Sequence, residues 1–305
     1  MSKQKRKPGE GKNTAAAIAM LSPVVILLIV CSIYPFLWMF RYVLCDYNGF
    51  TSTFTGTKNI TRMIADTTFW KSVGHTFEYA LYKLVFTVPL ALLCAVLLNQ
   101  KMKGSGLFRI VYFLPTIISS AISGMIFTFI FATQNGILNG IRMGLNSNAT
   151  PIPWLTSASY VMVAVTTLAV WGGFGNYMLY FITGMASINE DVYEAAKIDG
   201  ANSVQTFFRI TLPMLSPVLK TILMLAITGA FKDYEAIMVL TQGGPGNRSM
   251  VMFLYIYLMI FGSGFSGNVQ PQIGYGALLS VVAALIVGAV TIIYLRIARK
   301  LDDVV

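Results

Sequence analysis

Eight residues in two stretches of this chain have the types and spacing to handle a polar solute. Gly173, Asn176, Tyr177 and Tyr180 fall at i, i+3, i+4 and i+7, one face of a helix. Ala226, Gly229, Ala230 and Asp233 repeat that spacing. Small residues leave room, aromatic faces stack, and the Asn and Asp groups hydrogen-bond. The chemistry open to such faces is non-covalent recognition. The same residue types also pack helices closely, with Asn and Tyr bonding across the contact, and that alternative stands beside the first. Lys232, Asp233 and Glu235 form an ionisable cluster within an apolar stretch. Groups of this kind face a protein interior or cavity more often than lipid, with snorkelling or local pairing as the other reading. Lys83 reads as a snorkelling anchor near the end of its apolar stretch, and His75, the one histidine, as a surface residue of an outer loop. Cys31, Cys45 and Cys94 show no paired spacing, so neither a disulfide framework nor a metal site is expected. With no nucleophile or acid–base constellation at one membrane depth, no catalytic residue is assigned, and an enzyme is not expected.

The elements that must carry these faces are membrane helices. Hydrophobic residues make up 56% of the chain and charged ones 11%, far from the balance of a soluble domain. About 20 apolar residues cross the hydrocarbon core as a helix. Stretches meeting that requirement run over 15–40, 79–98, 110–131, 160–186, 217–240 and 273–295. The expected fold class is therefore all-α, a polytopic membrane protein with six transmembrane helices between a basic tail at 1–14 and a second tail at 299–305. Met250 to Phe261 is as apolar but short and flanked by glycines, which suits an interfacial, re-entrant or buried segment better than a span.

Lys and Arg near span ends mark the cytoplasmic side. Lys3, Lys5, Arg6, Lys7 and Lys12 precede the first span; Lys101, Lys103 and Arg109 follow the second; Arg296, Arg299 and Lys300 follow the sixth. Six spans put all three clusters inside, with both termini cytoplasmic. The net charge of +10 is thus explained by anionic headgroups, and no nucleic-acid partner is expected. The basic start and apolar run resemble a signal peptide, but the run continues past Pro35 to Phe40, which favours an uncleaved first helix. Phe69-Trp70 reads as a headgroup-level anchor.

The inner connection over 187–216 is patterned. Asn189-Glu190-Asp191 supplies a cap and negative charge for a short helix over Val192–Ile198, with Glu194 and Lys197 at i, i+3. Asp199-Gly200 ends it. Asn202 or Ser203 caps a second short helix reaching Ile210, and Pro213 and Pro217 turn the chain back into the bilayer. Composition alone allows an amphipathic interfacial linker here.

Glu194-Ala195-Ala196, Asp199-Gly200-Ala201, Ile210, Leu212-Pro213 and Pro217 resemble the EAA loop of ATP-binding-cassette (ABC) importer permeases. Tyr112-Phe113-Leu114-Pro115, Trp154-Leu155, Leu240-Thr241-Gln242-Gly243-Gly244-Pro245 and Gly274-Tyr275-Gly276-Ala277 extend the resemblance along the chain. The Gly-Gly-Pro element is similar to the carbohydrate branch, related to the maltose and glycerol-phosphate permeases. The resemblance implies a type I importer permease fold over 15–298, in a bacterial or archaeal inner membrane. It implies a second permease subunit as heterodimeric partner, two cytoplasmic ATPases, an extracytoplasmic solute-binding protein and a sugar substrate. Glu194, Ala195, Ala196, Asp199, Gly200, Ala201, Leu212 and Pro213 would then couple to the ATPase. The sugar contacts would come from the helices carrying the two faces above, unless the partner permease supplies them. A non-sugar cargo such as a polyamine or an anion, or a self-contained channel or carrier, is the alternative. ATP and Mg²⁺ are expected on the partner: the nearest P-loop look-alike, Gly11-Lys12-Asn13, lacks the magnesium-binding hydroxyl and has Arg6 in place of the first Gly.

Overall fold

The computed structural model describes residues 10–99, 104–262 and 270–302. The basic residues Lys3 to Lys7, Lys101 and Lys103 lie outside these. Two compact units form: one of the chain up to Ala65 with Leu258–Val281, the other of Asp66–Tyr257 with the chain from Val282 on.

In the first unit, α1 (Glu10–Leu28) continues through one wider turn (Ile29–Ile33) into α2 (Tyr34–Val43). Gly11 to Asn13, expected in a tail, already belong to α1. A two-stranded antiparallel hairpin follows, β1 (Cys45–Tyr47) and β2 (Ser52–Phe54), pairing Asp46 with Thr53. Next comes α3 (Lys58–Ala65), tied back by the Asn59 side-chain amide, which donates to the Val43 and Cys45 carbonyls at 3.1 and 2.9 Å. Gly274 of the distant Gly-Tyr-Gly element meets the Cys45 carbonyl so closely that a Cβ would overlap it.

The second unit is built on α4 (Thr67–Leu98), a 32-residue helix that starts twelve positions before the expected span. Asp66 caps it, accepting from the Thr68 and Phe69 N–H groups at 3.0 Å. His75 therefore sits in a helix, its Nδ1 3.3 Å from the Met250 carbonyl, and the outer-loop reading is corrected. Phe69 is fully buried beside Tyr255, so only Trp70 of that pair is left exposed.

The expected third span, 110–131, is not one rod. It is α5 (Ser105–Ile117) and α6 (Ser120–Ile130), bent by 98° across Ile118-Ser119. Ile118 and Ser119 are extended, and the Ser119 hydroxyl accepts the Ile122 N–H to start a new helix. After α7 (Ile137–Leu145), the fourth span is recovered to within a residue as α8 (Val161–Ala186). The connection over 187–216 contains α9 (Glu190–Ile198), α10 (Ser203–Thr206), one wide turn (Phe207–Thr211) and α11 (Leu212–Met214). The expected span 217–240 is also interrupted, as α12 (Ser216–Lys232) and α13 (Glu235–Thr241). Asp233 is extended there because its carboxylate is held by α4, as described below.

The ten-residue α14 (Met252–Phe261) is too short to span, at about 15 Å. It is fastened instead: the Met252 N–H donates to Thr76 Oγ1 at 2.8 Å, and the Tyr255 hydroxyl to Asp66 Oδ2 at 2.7 Å. Arg248, on the loop before it, makes two 2.6 Å bonds to the Glu78 carboxylate, which raise its pKa above the usual guanidinium value. The last helix is α15 (Ile273–Asp302). Among the described residues four helices are long and apolar enough to cross a membrane, or up to six if each bent pair is one span.

The main core of the second unit joins α4, α8 and α12 through Ala91, Ala95, Met178, Phe181, Leu215 and Ile222. Small residues on α4 and α8 set their separation. Gly175 of α8 faces the Tyr112 carbonyl of α5 in a direct backbone contact.

Candidate functional site

Two places in the second unit have the geometry to do something: the connection over 187–216 and a polar cavity. The connection is ordered by local chemistry. Asn189 Oδ1 accepts the Asp191 N–H at 3.2 Å, and Glu190 and Asp191 place negative charge on the first turn of α9, opposite Lys197 on its last. Gly200 has φ +79°, left-handed backbone that an L side chain resists. This lets the Ala201 N–H return to the Ala196 carbonyl at 2.9 Å and close the helix. Of the two expected caps, Asn202 is the one used: it exchanges bonds with Gln205 at 2.8 and 2.9 Å.

The loop presents one face to its own chain and another outward. Ala196 is buried, and Thr211 Oγ1 donates to the Tyr193 hydroxyl at 3.4 Å, tying α9 to the second helix. A 280 Å³ cleft runs between them, reached by Lys197, Ala201 and Phe207. Outward, Glu194, Ala195, Asp199 and Pro213 are exposed, while Leu212 is half-buried. So are three large apolar side chains, Ile198 at 86%, Val204 at 65% and Phe208 at 61%. A soluble monomer has little reason to gather such groups on one short loop. Among the described residues no ion pair joins Glu194 to Lys197, so the two charges stay available to a partner.

The cavity, of ≈ 320 Å³, opens between α4, α5–α6, α8 and the α12–α13 break. Its lining includes the hydroxyl-bearing residues Tyr79, Thr116, Ser120, Ser123 and Tyr234 and the charged residues Lys83, Lys232, Asp233 and Glu235; the Thr116 hydroxyl donates to the Gly172 carbonyl at 3.2 Å. Tyr79 and Lys83 lie one turn apart on α4 and both reach Asp233 Oδ2. The Tyr79 hydroxyl donates at 2.8 Å, and the Lys83 ammonium forms an ion pair. Lys83 is buried, so the reading of it as a snorkelling anchor is corrected: its ammonium turns inward because a carboxylate waits there.

The two helical faces expected from sequence do meet, though not as one lining. Gly173 and Asp233 reach the cavity. Tyr177 and Ala226 pack into the core, and Ala230 into a smaller cluster with Ala80 and Phe231. Gly229 lies against the Tyr177 hydroxyl, 3.8 Å from where a Cβ would stand. Asn176 is half-buried and Tyr180 is 42% exposed. Tyr79, Thr116, Ser120 and Ser123 were not singled out from sequence, since single hydroxyls in apolar runs carry no pattern. Lys83 did carry one, as the sole charge over 79–98.

Comparison with known proteins gives a consistent picture. Residues 87–303 match the model of a family described as "Binding-protein-dependent transport system inner membrane component". The chain is 31% identical to the arabinooligosaccharides transport system permease protein AraP of Bacillus subtilis, over 93% of this chain and 88% of that protein. It is 35% identical to AraP of Halalkalibacterium halodurans, with the same coverage. The lactose transport system permease protein LacF of Rhizobium radiobacter is 29% identical, over 92% of this chain and 93% of that one. Among solved structures, a chain of a bacterial alginate ABC transporter, in complex with an alginate pentasaccharide-bound periplasmic protein, superposes with a TM-score of 0.81. The superposition covers 97% of this chain and 98% of that one at 19% identity, a likeness of fold.

Proposed function

The chain belongs to the binding-protein-dependent transport system inner membrane components, and from that premise we propose that it is the permease subunit of an ATP-driven sugar importer. It forms half of the translocation pathway, over 15–298, beside a second permease subunit. Two separate ATPases hold ATP and Mg²⁺ and act on the loop over 187–216, and an extracytoplasmic solute-binding protein delivers the sugar. Both termini and that loop lie on the cytoplasmic side. The observation that carries the coupling role is the loop itself, which is rigidly capped at Asn189 and Asn202 and exposes Ile198, Val204 and Phe208 with small residues between them. Sugar is favoured as cargo by the polar cavity and by the arabinooligosaccharides and lactose for which AraP and LacF are named.

Coupling works as a two-state shift. ATPase closure moves the docked loop as a rigid body, and Leu215, which starts α12 and is fully buried in the α4–α8–α12 core, carries that motion into the spans. The bends at Ile118-Ser119 (98°) and at Leu215 (67°), with the break at Asp233, divide the pathway helices into segments that can shift separately.

The complex of two permeases and two ATPases, reconstituted with its solute-binding protein, is expected to take up members of a labelled sugar panel only with ATP. Collapse of ion gradients leaves that uptake intact. Uptake that outlasts ATP removal while gradients persist would establish a carrier instead, and uptake of polyamine or phosphate alone would overturn the cargo. Asn176→Ala should change the rate or range of sugars by roughly 3–10-fold, the usual worth of one polar contact, without loss of assembly. An unchanged panel would assign specificity to the partner permease.

A further inference from the structure

The cavity contains two ammonium groups, Lys83 and Lys232, and two carboxylates, Asp233 and Glu235, so its formal charge is zero. The pairing inside it is unequal. Lys83 has 11% of its side chain exposed, whereas the Asp233 side chain has 38%, so the ammonium is the sealed partner and the carboxylate forms the visible wall. Tyr79, fully buried, donates to the same Oδ2. Two donors one turn apart on α4 thus hold one carboxylate carried by the break between α12 and α13. An ammonium sealed in such a place without Asp233 would be an uncompensated charge, and would take up any carboxylate offered to it.

We propose that the Lys83–Asp233 pair determines the charge preference of this cavity: Asp233 occupies the Lys83 ammonium, and the cavity therefore accepts uncharged carbohydrate and rejects uronic-acid sugars. This rests on the reading of the chain as a carbohydrate permease. A neutral sugar replaces its hydration with hydroxyl partners from lining residues such as Ser120 and Tyr234. A uronate brings a carboxylate that must shed water beside Asp233 and Glu235, with the sealed cation already taken and Lys232, an exposed ammonium, left to compensate. Asp233 is thus a specificity-determining residue, and Lys83 is the latent anion site behind it.

The test uses the whole complex in nanodiscs without its solute-binding protein, so that protein's own preference does not enter. Equilibrium dialysis measures retention of maltotriose, a trigalacturonate and a glucosamine trimer. The native complex should retain maltotriose and exclude trigalacturonate. Asp233→Asn should raise the ratio of trigalacturonate to maltotriose retention about tenfold or more. Lys83→Gln leaves the carboxylate facing the cavity, and should raise retention of the cationic glucosamine trimer while trigalacturonate stays excluded. It decides alone if Asp233→Asn fails to assemble. Native retention of trigalacturonate equal to that of maltotriose overturns the proposal. So does an unchanged ratio among the three sugars in the variants. A complex that takes up sugar with ATP yet retains none of the three also overturns it, while the importer reading survives. A complex with no ATP-dependent sugar uptake at all removes the importer reading itself.

Discussion

Gly200→Leu is expected to cut ATP-dependent uptake and substrate-stimulated ATP hydrolysis by on the order of a hundredfold, the upper end of usual coupling free energies, while the permease inserts at native levels. The two halves of that expectation have separate causes. A Cβ at Gly200 meets nothing within 4 Å, so a side chain can leave the backbone into open space. The cost inside the molecule is the φ of +79°, about 1–2 kcal/mol for an L-residue. Asn202, Gln205 and buried Ala196 hold the loop against a strain of that size. What the side chain does occupy is the open space beside α9, where the proposed ATPase must come close to Ala195 and Ala201. Gly200→Asn separates strain from bulk, because Asn adopts left-handed backbone more readily than Leu. It should retain intermediate uptake. Normal uptake and normal stimulation by the Leu variant would remove the docking role of this loop.

Gly175→Ala should have its effect on the fold. A methyl group there overlaps the Tyr112 carbonyl and stands 3.0 Å from Phe113 Cα, both backbone atoms of α5 with no side chain to swing aside. The α5–α8 contact must open, and the resulting overpacking costs about 1–3 kcal/mol. At roughly 2–4 °C per kcal/mol, the melting temperature of the purified protein should drop by about 5 °C. Gly172→Ala, three residues earlier on α8, is the control, since a Cβ there meets nothing within 4 Å. That variant should melt at the native temperature or slightly above, because Ala favours the helix. Equal melting of the Gly175 variant and the native chain would show that the two backbones are not in close contact.

Much of the loop was legible before any tertiary structure. Asn189, Gly200 and Asn202 act within three or four residues of themselves, so their types announce their roles. The span over 160–186 was read to within a residue for the same kind of reason, since length and apolarity are properties of a segment alone. The glycines of the Leu240–Pro245 element were visible as a motif but not explained. The structure supplies the cause: Gln242 and Gly243 are left-handed, and buried Ser249 closes the turn onto the Gly244 carbonyl at 2.6 Å.

What sequence could not decide was which distant groups would meet. Lys83 and Asp233 each stood out as a charge in an apolar run, which says that a partner is required without saying which one. They are 150 positions apart, and their meeting depends on how α4 lies against the end of α12. The same is true of Arg248 and Glu78, 170 apart. The breaks at Ile118-Ser119 and Asp233 follow suit, because apolarity measures how much of a segment avoids water and carries no information on where its backbone turns. Spacing alone put Gly173–Tyr180 on one helix, α8, and Ala226, Gly229 and Ala230 on another, α12, whereas Asp233 falls just past the end of α12, in extended backbone. Only packing divided them, sending Tyr177, Ala226 and Ala230 into the core and leaving Gly173 and Asp233 to line the cavity. Periodicity defines a face within one helix, and only its neighbours determine whether that face meets protein or open space.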